Sequence, residues 1–283
     1  MRQFVLENQS VKNGLIFLDG KDYRYLRQVL RAKIGDMINV RMPDGTLQGT
    51  TVAKIDEKSK KITLQICSSG KSITRGVQAD EIEDAADGQN SVEYWLFQFI
   101  PKPQKFEQIV RQATECGISV IVPVCGEYSE KNSIASLGGN TDSSSGNAKR
   151  ERIERIVREA RQQSGSPINT KILEPLSLEK AVEEWQNGST KKSAAFVLSE
   201  RKDLCAAFDE SLDEICSDGK KLERVGIVVG SEGGISPAEM EFLVKKALYK
   251  GVHFDVNILR SETAAIYGIA AIQTAVMQKN QKL

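Results

Sequence analysis

From residue 92 onward, short apolar runs alternate with helical patterns, and this alternation limits the folds open to the chain. "VEYWLFQFI" and "ISVIVPV" are typical of buried strands, and "QKFEQIVRQATEC" between them is typical of a helix. That helix places Phe106, Ile109, Val110 and Ala113 on one face. Three further apolar runs follow, "SAAFVLS", "VGIVVG" and "FDVNIL". Strands separated by helices predict an α/β fold with a parallel sheet.

The remainder of the chain suggests a second, smaller domain. Residues 1–70 carry short β-rich patterns such as "MINVRM" and "ITLQIC", with a "PDG" turn signal and one helix, "KDYRYLRQVLRA". We therefore predict a small β-barrel over 1–70, a polar linker over 71–91 and the α/β domain over 92–283. The Gly/Ser-rich stretch 135–147 is predicted to be a mobile insertion.

Composition excludes several classes of protein. The 283 residues are 40% apolar and 27% charged, which is enough for two packed cores. No apolar run approaches the roughly 20 residues needed to span a bilayer, and the start lacks a signal peptide's apolar core, so we expect a cytoplasmic protein without a membrane partner. The five cysteines form no CxxC pair and the sequence has one histidine, His253, so we predict no metal site. A Ser-His-Asp catalytic triad is excluded unless His253 serves in it. His253 is interpreted as a surface or strand-entry residue.

The predicted helix of the first domain carries a row of arginines. Their spacing of i, i+3, i+7 predicts one stripe, opposite Leu26, Val29 and Leu30. A solvated face with intramolecular pairing is the alternative, but only Asp22 lies within the helix as an acidic partner. Because arginine binds phosphate bidentately and stacks on bases, the stripe suggests RNA binding. The candidate RNA-binding residues are Arg24, Arg27 and Arg31.

The stretch "VVGSEGGIS" joins an apolar strand to a predicted helix through a glycine-rich loop. Glu232 within it would repel a phosphate by about 1 kcal/mol or more, so a nucleotide-phosphate site is disfavoured. The carboxylate suits a ligand with positive charge or with amino and hydroxyl donors. Gly230, Gly233 and Gly234 allow close approach to a flat ligand, whereas a plain strand-to-helix turn would need only one glycine.

The helix after this loop has a clear start signal. Ser236 is placed as the N-cap, Pro237 as the first helical residue and Glu239 three residues after the cap. This spacing predicts a capping box. The glycine loop is therefore expected to end at a fixed point.

A second motif, "NILRSETAAIYGIAA", lies near the carboxyl end. The pattern predicts a buried strand that ends at Leu259, followed directly by Arg260. Open α/β sheets place ligand sites at the carboxyl ends of strands, so Arg260 is a candidate site residue. Glu262 and Thr263 fall in the first turn of the next helix, and Gly268 allows that helix to approach another element closely.

With both motifs in order, the sequence resembles the RsmE-type ribosomal RNA uridine-N3 methyltransferases of the SPOUT superfamily. "RYLRQVLRAKIGDMINV" is similar to the family's PUA-like RNA-binding barrel, and "KPQKFEQIVRQATECGISVIVPV" and "REARQQSG" are similar to segments of its catalytic domain. The resemblance covers most of the chain. One departure is Ser231, which stands where the family usually has proline.

The resemblance implies a trefoil knot, over about 194–275, that binds S-adenosyl-L-methionine, and a homodimer formed through the knot domain. The cofactor-binding residues that it implies are Leu198, Gly230, Glu232, Gly233, Gly234, Ile258, Leu259 and Arg260.

The implied reaction is methylation of N3 of a uridine in 16S rRNA of the small ribosomal subunit. Arg260 is the candidate for stabilising charge on the uracil oxygens, and Glu262 either helps to remove the N3 proton or orients Arg260. Glu262 could also be a helix N-terminal carboxylate favoured only by the macrodipole. Two other interpretations remain, namely another SPOUT enzyme acting on a ribose oxygen or a tRNA guanine, and a catalytically silent RNA-binding assembly factor.

Overall fold

A computed structural model describes residues 3–7, 11–67, 92–137, 144–187, 190–202 and 204–283. The chain divides into two compact units. One unit holds the described residues before 68 together with Arg161–Pro167, and the other holds the remaining described residues. The predicted linker at 71–91 lies outside the described residues.

The N-terminal unit is built on one curled mixed sheet. Its elements are β1 (Phe4–Val5), β2 (Val11–Lys12), β3 (Leu15–Leu18), α1 (Gly20–Arg24), β4 (Met37–Arg41), β5 (Leu47–Asp56) and β6 (Lys61–Ile66). The strand order is β1-β4-β5-β6-β3-β2, with β1 and β4 parallel and the other neighbours antiparallel. Phe4, Ile16, Val40 and Leu64 are fully buried inside the curl. The predicted small β domain is confirmed.

The helical segment of this unit is wound differently from the prediction. After α1, Tyr25–Val29 is π-helical, with wider turns than an α-helix. Leu26 is fully buried, but Val29 is 53% exposed rather than packed inward. Arg31 lies beyond the helical segment in the left-handed region, with a φ of 53°. The prediction of a single i, i+3, i+7 arginine stripe is therefore wrong.

The second unit contains a seven-stranded sheet. Its strands are β7 (Glu93–Phe99), β8 (Val120–Cys125), β9 (Lys171–Ile172), β10 (Leu176–Ser177), β11 (Ser193–Leu198), β12 (Arg224–Val229) and β13 (Lys250–Val252). The order is β10-β8-β7-β12-β11-β13, with β9 beside β8, and each pair of neighbours is parallel. The predicted α/β fold with a parallel sheet is confirmed.

Helices cover both faces of this sheet. They are α2 (Pro103–Glu115), α3 (Lys131–Leu137), α4 (Ser144–Ser164), α5 (Leu178–Gln186), α6 (Phe208–Ile215), α7 (Pro237–Glu241) with a π-helical continuation Phe242–Lys246, and α8 (Ser261–Lys282). Leu96 of β7 packs in the core layer that contains Ile109 of α2 and Ile272 of α8. Its neighbour Phe97 packs in the opposite layer with Val182 of α5. A sheet buried on both faces explains the continuous apolar runs.

The predicted strand "FDVNIL" is not a strand. β13 covers only Lys250–Val252, and its pairing with β11 ends where Leu198 meets Val252, the last residue of both strands. Residues 254–259 therefore have no partner strand beside them, and they form a loop whose alternating pattern imitates a half-buried strand. Arg260 consequently precedes α8 as its N-cap instead of following a strand.

The predicted mobile insertion at 135–147 falls partly on helices. Residues 135–137 belong to α3 and 144–147 belong to α4, while 138–143 lie outside the described residues. In the described part of the chain, no helix is both long and apolar enough to cross a membrane.

Candidate functional site

The carboxyl ends of β11, β12 and β13 open onto one cavity of about 450 Å³. Its walls come from the stretches that follow these strands, together with Lys105 of α2 and the first turns of α8. Ligand sites of open parallel sheets lie at this edge. The cavity is therefore the candidate functional site.

The residues predicted to bind a cofactor converge on this cavity. Those that line it are Leu198, Gly230, Glu232, Gly233, Gly234, Ile258, Leu259 and Arg260. Glu262 is not part of the lining. Its carboxylate contacts Lys105, and Lys105 does line the cavity. The structure thus brings together segments that are far apart in the sequence, and the role of each residue stays a prediction.

The glycine loop packs tightly against itself. A Cβ atom at Gly230 would lie 2.7 Å from the carbonyl carbon of Gly234, which is too close for any side chain. Gly234 has a φ of 79° and donates its N–H to the Ser231 carbonyl oxygen at 3.0 Å, which closes the turn. The expectation that a turn would need only one glycine is wrong, because the turn itself requires both of these residues.

Ser231 offers the cavity a polar group. The residue is 6% exposed and lines the cavity, and its buried Oγ has no hydrogen-bond partner among the described residues. An unpaired buried hydroxyl costs about 1–3 kcal/mol.

The predicted capping box after the loop is confirmed. The Oγ of Ser236 accepts a hydrogen bond from the Glu239 N–H at 3.3 Å, and Oε2 of Glu239 accepts one from the Ser236 N–H at 2.9 Å. Oε1 of Glu239 also accepts the N–H of Glu127 at 2.7 Å. One carboxylate therefore fixes both the end of the glycine loop and the segment after β8.

Close packing also fixes the start of α8. A Cβ atom at Gly268 would overlap the side chain of Leu198, which confirms the predicted close approach of this helix. Ser261 Oγ donates to the Gly230 carbonyl oxygen at 2.7 Å, and Gln98 Nε2 donates to the same oxygen at 3.1 Å. The two predicted motifs are thus hydrogen-bonded to each other beside the cavity.

Charged groups of both signs surround the cavity. Glu232 Oε1 accepts the N–H of Lys102 at 3.1 Å, at the N-terminus of α2. Lys105 Nζ lies 3.6 Å from Glu232 Oε1 and 3.1 Å from Glu262 Oε2. Arg260 is exposed and lines the cavity. It is therefore able to meet a substrate.

Burial raises the pKa of Glu262, but other effects more than offset it. Its own backbone N–H donates to the carboxylate, and the charges of Lys105 and Arg260 favour the ionised form, so the net pKa is below the usual value. Glu262 is therefore a carboxylate at neutral pH.

Sequence reasoning missed several lining residues. They are Lys105, Glu200, His253, Asn257 and Tyr267. His253 follows β13 and is half-buried, with Nδ1 3.1 Å from the Ser199 carbonyl oxygen, so its interpretation as a surface or strand-entry residue is wrong. One signal for Lys105 was present, because the first turn of a helix is an unfavourable place for a cation.

The candidate RNA-binding arginines differ in their contacts. Arg27 donates to Glu57 Oε1 at 2.8 Å and to the Ala32 carbonyl oxygen at 2.7 Å. The expectation that acidic partners are scarce is wrong for Arg27, because Glu57 comes from the turn between β5 and β6. Arg24 makes a long 3.4 Å bond to a backbone oxygen, and Arg31 is exposed. Arg24 and Arg31 are the more available of the three.

In the described residues, no group of three or more histidine, cysteine, aspartate or glutamate side chains is arranged to hold a metal ion. Burial raises the pKa of the Cys216 thiol, which keeps it protonated at neutral pH.

Comparison of the sequence with known proteins points to one family. Residues 88–273 match the RNA methyltransferase domain family. The chain is 28% identical to ribosomal RNA small subunit methyltransferase E 2 of Borreliella burgdorferi, over 99% of this chain and 100% of that protein. It is 26% identical to ribosomal RNA small subunit methyltransferase E of Bacillus subtilis, over 99% of each.

Solved structures share the fold. A ribosomal RNA small subunit methyltransferase E from Neisseria gonorrhoeae, bound to S-adenosylmethionine, aligns with a TM-score of 0.71 at 20% identity, over 97% of this chain and 98% of that one. A methyltransferase from Legionella pneumophila in complex with the same cofactor aligns with a TM-score of 0.70 at 18% identity, over 96% and 97%.

Proposed function

The chain belongs to the RNA methyltransferase domain family, and from this membership we propose that it methylates N3 of a specific uridine in 16S rRNA. It is an S-adenosylmethionine-dependent small-subunit rRNA methyltransferase of the RsmE type. The observation that carries the proposal is the single cavity at the ends of three parallel strands, where both sequence motifs meet. Full-length relatives with small-subunit rRNA methyltransferase names support it.

The lining suits S-adenosylmethionine, which supplies a methyl group on a cationic sulfonium when bound. A cavity of about 450 Å³ is within the range of small-molecule sites. Two carboxylates, Glu232 and Glu200, and two cations, Lys105 and Arg260, line it, so the cavity suits a ligand that carries both a cationic sulfonium and a carboxylate.

Uracil N3 carries a proton and is a poor nucleophile until that proton leaves. The resulting negative charge spreads over the two uracil oxygens, so a cation beside them lowers the barrier. We assign this role to Arg260, which lines the cavity and is exposed. Because N3 lies on the pairing edge, the target uridine must be unpaired or flipped when it enters.

Of the two roles considered for Glu262, orientation has more support. Its pKa is lowered, so the carboxylate is ionised but is a weak base. Glu262 follows Arg260 by two residues at the start of α8, and the positive charge of Arg260 contributes to that lowering. We assign Glu262 to holding Arg260, with the N3 proton passing to solvent.

The assembly that goes with this function is a homodimer of knotted domains in the cytoplasm, where ribosomal RNA is found. The hydrogen bond from Ser261 to the Gly230 carbonyl oxygen supports a knot over about 194–275, because it joins the two segments that would cross. Val256, at 44%, and Ile258, at 85%, are apolar and exposed where they line the cavity, so either a bound ligand or a partner chain would cover them. Sedimentation at micromolar concentration is expected to give twice the 31.3 kDa chain mass, and a monomer would contradict the dimer.

The proposed reaction is tested with purified protein, radiolabelled S-adenosylmethionine and either 16S rRNA or small subunits. After digestion to nucleosides, we expect label in N3-methyluridine. Label in a ribose-methylated nucleoside or in methylguanine would support another SPOUT enzyme instead. Calorimetric titration that detects no cofactor binding at high micromolar concentration would favour a silent assembly factor.

The arginines of the N-terminal unit are expected to contribute unequally to RNA affinity. The variants Arg24→Ala and Arg31→Ala should each lose one phosphate contact. Each should therefore reduce the slope of the logarithm of the RNA-binding constant against the logarithm of the salt concentration by about 1. Arg27→Ala should change the slope less, since Glu57 already neutralises that guanidinium. The matched variant Glu57→Gln frees Arg27 and should increase RNA affinity. If all four variants have the same slope as wild type, this surface is excluded from RNA binding.

A further inference from the structure

Lys105 joins two carboxylates from different elements, Glu232 of the glycine loop and Glu262 at the start of α8. Its Nζ lies 3.1 Å from Glu262 Oε2 and 3.6 Å from Glu232 Oε1. The side chains of Lys105, Glu232 and Glu262 are 27%, 33% and 13% exposed, so water screens these contacts only in part. One ammonium therefore compensates two negative charges at the edge of the site.

The position of Lys105 is unfavourable for its own helix. It lies in the first turn of α2, where the macrodipole disfavours a cation, and that turn holds no acidic residue. The negative charge at this helix end comes instead from Glu232, whose carboxylate accepts the Lys102 N–H. The lysine is thus explained by its contacts across the cavity and not by the stability of α2.

Glu262 depends on this lysine more than Glu232 does. Its Oε2 is buried and has no well-aligned hydrogen bond in the described residues, so the 3.1 Å ion pair is its compensation. Glu232 has the Lys102 N–H as well. Without Lys105, a buried carboxylate would face a second carboxylate with no cation between them.

We propose that Lys105 is a positioning residue for methyl transfer, which holds the Glu262 carboxylate in place beside Arg260 and ties it to the glycine loop through Glu232. This proposal rests on the proposed function. Lys105 acts through Glu262, which in turn orients the guanidinium that meets the uracil oxygens. The ion pair also joins α2 to the start of α8 across the cavity, so that the two motifs keep one arrangement.

The proposal predicts a change in pH dependence. Burial raises the pKa of Glu262, while its backbone N–H, Lys105 and Arg260 lower it below the usual value. The charged groups that face this carboxylate are Lys105 and Arg260, with Glu232 on the far side of the lysine. Removing Lys105 takes away one of the groups that lower the pKa of Glu262 and leaves burial, the backbone N–H and Arg260, so this pKa rises. Activity that needs the ionised form is present above that pKa and is lost as pH falls through it, so the loss moves to higher pH.

The experiment compares wild type with Lys105→Gln, Lys105→Arg and Lys245→Gln in single-turnover methyl transfer. Lys245 is the matched control, because it also pairs with a carboxylate, Glu241 at 2.8 Å, but on the exposed surface. When the pH is lowered from about 8 to about 5.5, we expect the rate of Lys105→Gln to fall by roughly ten-fold more than the rate of wild type. Lys105→Arg should restore the wild-type profile, and Lys245→Gln should follow wild type throughout. A Lys105→Gln profile parallel to wild type would overturn the proposal.

A second measurement does not depend on activity. Carbon-13 NMR of the glutamate carboxyl groups gives the pKa of Glu262 directly, with Glu262→Gln used for assignment. We expect this pKa to be higher in Lys105→Gln than in wild type, and an unchanged value would overturn the proposal. Absence of methyl transfer by the wild type would instead contradict the proposed function, so the two failures are distinguishable.

Discussion

Replacement of Arg260 by alanine is expected to reduce methyl transfer by about 100-fold to 1,000-fold, the usual loss when a donor that stabilises transition-state charge is removed. The residue lines the cavity and is exposed, outside the packed core. Little of the fold therefore depends on it. The thermal midpoint should remain close to wild type, and the rate is measured in single turnovers with saturating cofactor.

The variant Arg260→Lys separates charge from shape. Lysine keeps the positive charge but lacks the planar fork that reaches two oxygens, so an intermediate rate is expected. Near-normal turnover of Arg260→Ala, with cofactor binding intact, would remove Arg260 from the mechanism.

Gly230→Ala is expected to weaken binding of S-adenosylmethionine by roughly 100-fold or more, the largest effect expected on affinity. The added methyl would lie 2.7 Å from the carbonyl carbon of Gly234, and backbone atoms cannot yield as a flexible side chain can. The loop must then open, which also disturbs the hydrogen bonds of the Gly230 carbonyl to Ser261 and Gln98. Calorimetric titration gives the dissociation constant.

The control for this variant is Gly219→Ala. Gly219 has a φ of 71°, so alanine there costs about 1–2 kcal/mol of stability through the left-handed backbone alone. It does not line the cavity, and a Cβ atom there meets no neighbour within 4 Å. Gly219→Ala should lower the thermal midpoint yet bind cofactor as wild type does. Equal affinity of Gly230→Ala and wild type would contradict the assignment of the glycine loop to the cofactor.

Local signals in the sequence predicted local structure well. The capping box depends on three residues within one helical turn, Ser236, Pro237 and Glu239, so spacing alone identified it. The parallel sheet followed from alternation of apolar runs with helices. Gly268 was recognised as a point of close approach, although only the structure identified Leu198 as the side chain that meets it.

The errors occurred where a distant partner decides the outcome. "FDVNIL" has strand periodicity, but β11 ends at Leu198 and leaves nothing for residues 254–259 to pair with. Arg27 was expected to lack acidic partners, yet Glu57 approaches it from a hairpin that single-helix reasoning does not consider. The sequence also did not predict the π-helical turn at Tyr25–Val29, after which Arg31 lies outside the helical segment and off the predicted stripe.

The sequence motifs of the candidate site were predictable, whereas the ion pairs between its side chains were not. Glu232 and Arg260 could be identified because each belongs to a motif that resembles a known family. The sequence marks Lys105 only as a cation in the first turn of a helix, and its contacts became visible only when folding brought two carboxylates to it. Ion pairs between distant segments leave no pattern in a single sequence.

The decisive measurement is mass mapping of methylated uridines in 16S rRNA from cells that contain or lack this protein. If the cavity at the ends of β11, β12 and β13 serves uridine methylation, one N3-methyluridine should disappear without the protein. It should return with the wild-type chain but not with Arg260→Ala. An unchanged set of N3-methyluridines in cells that lack the protein would contradict the proposed function.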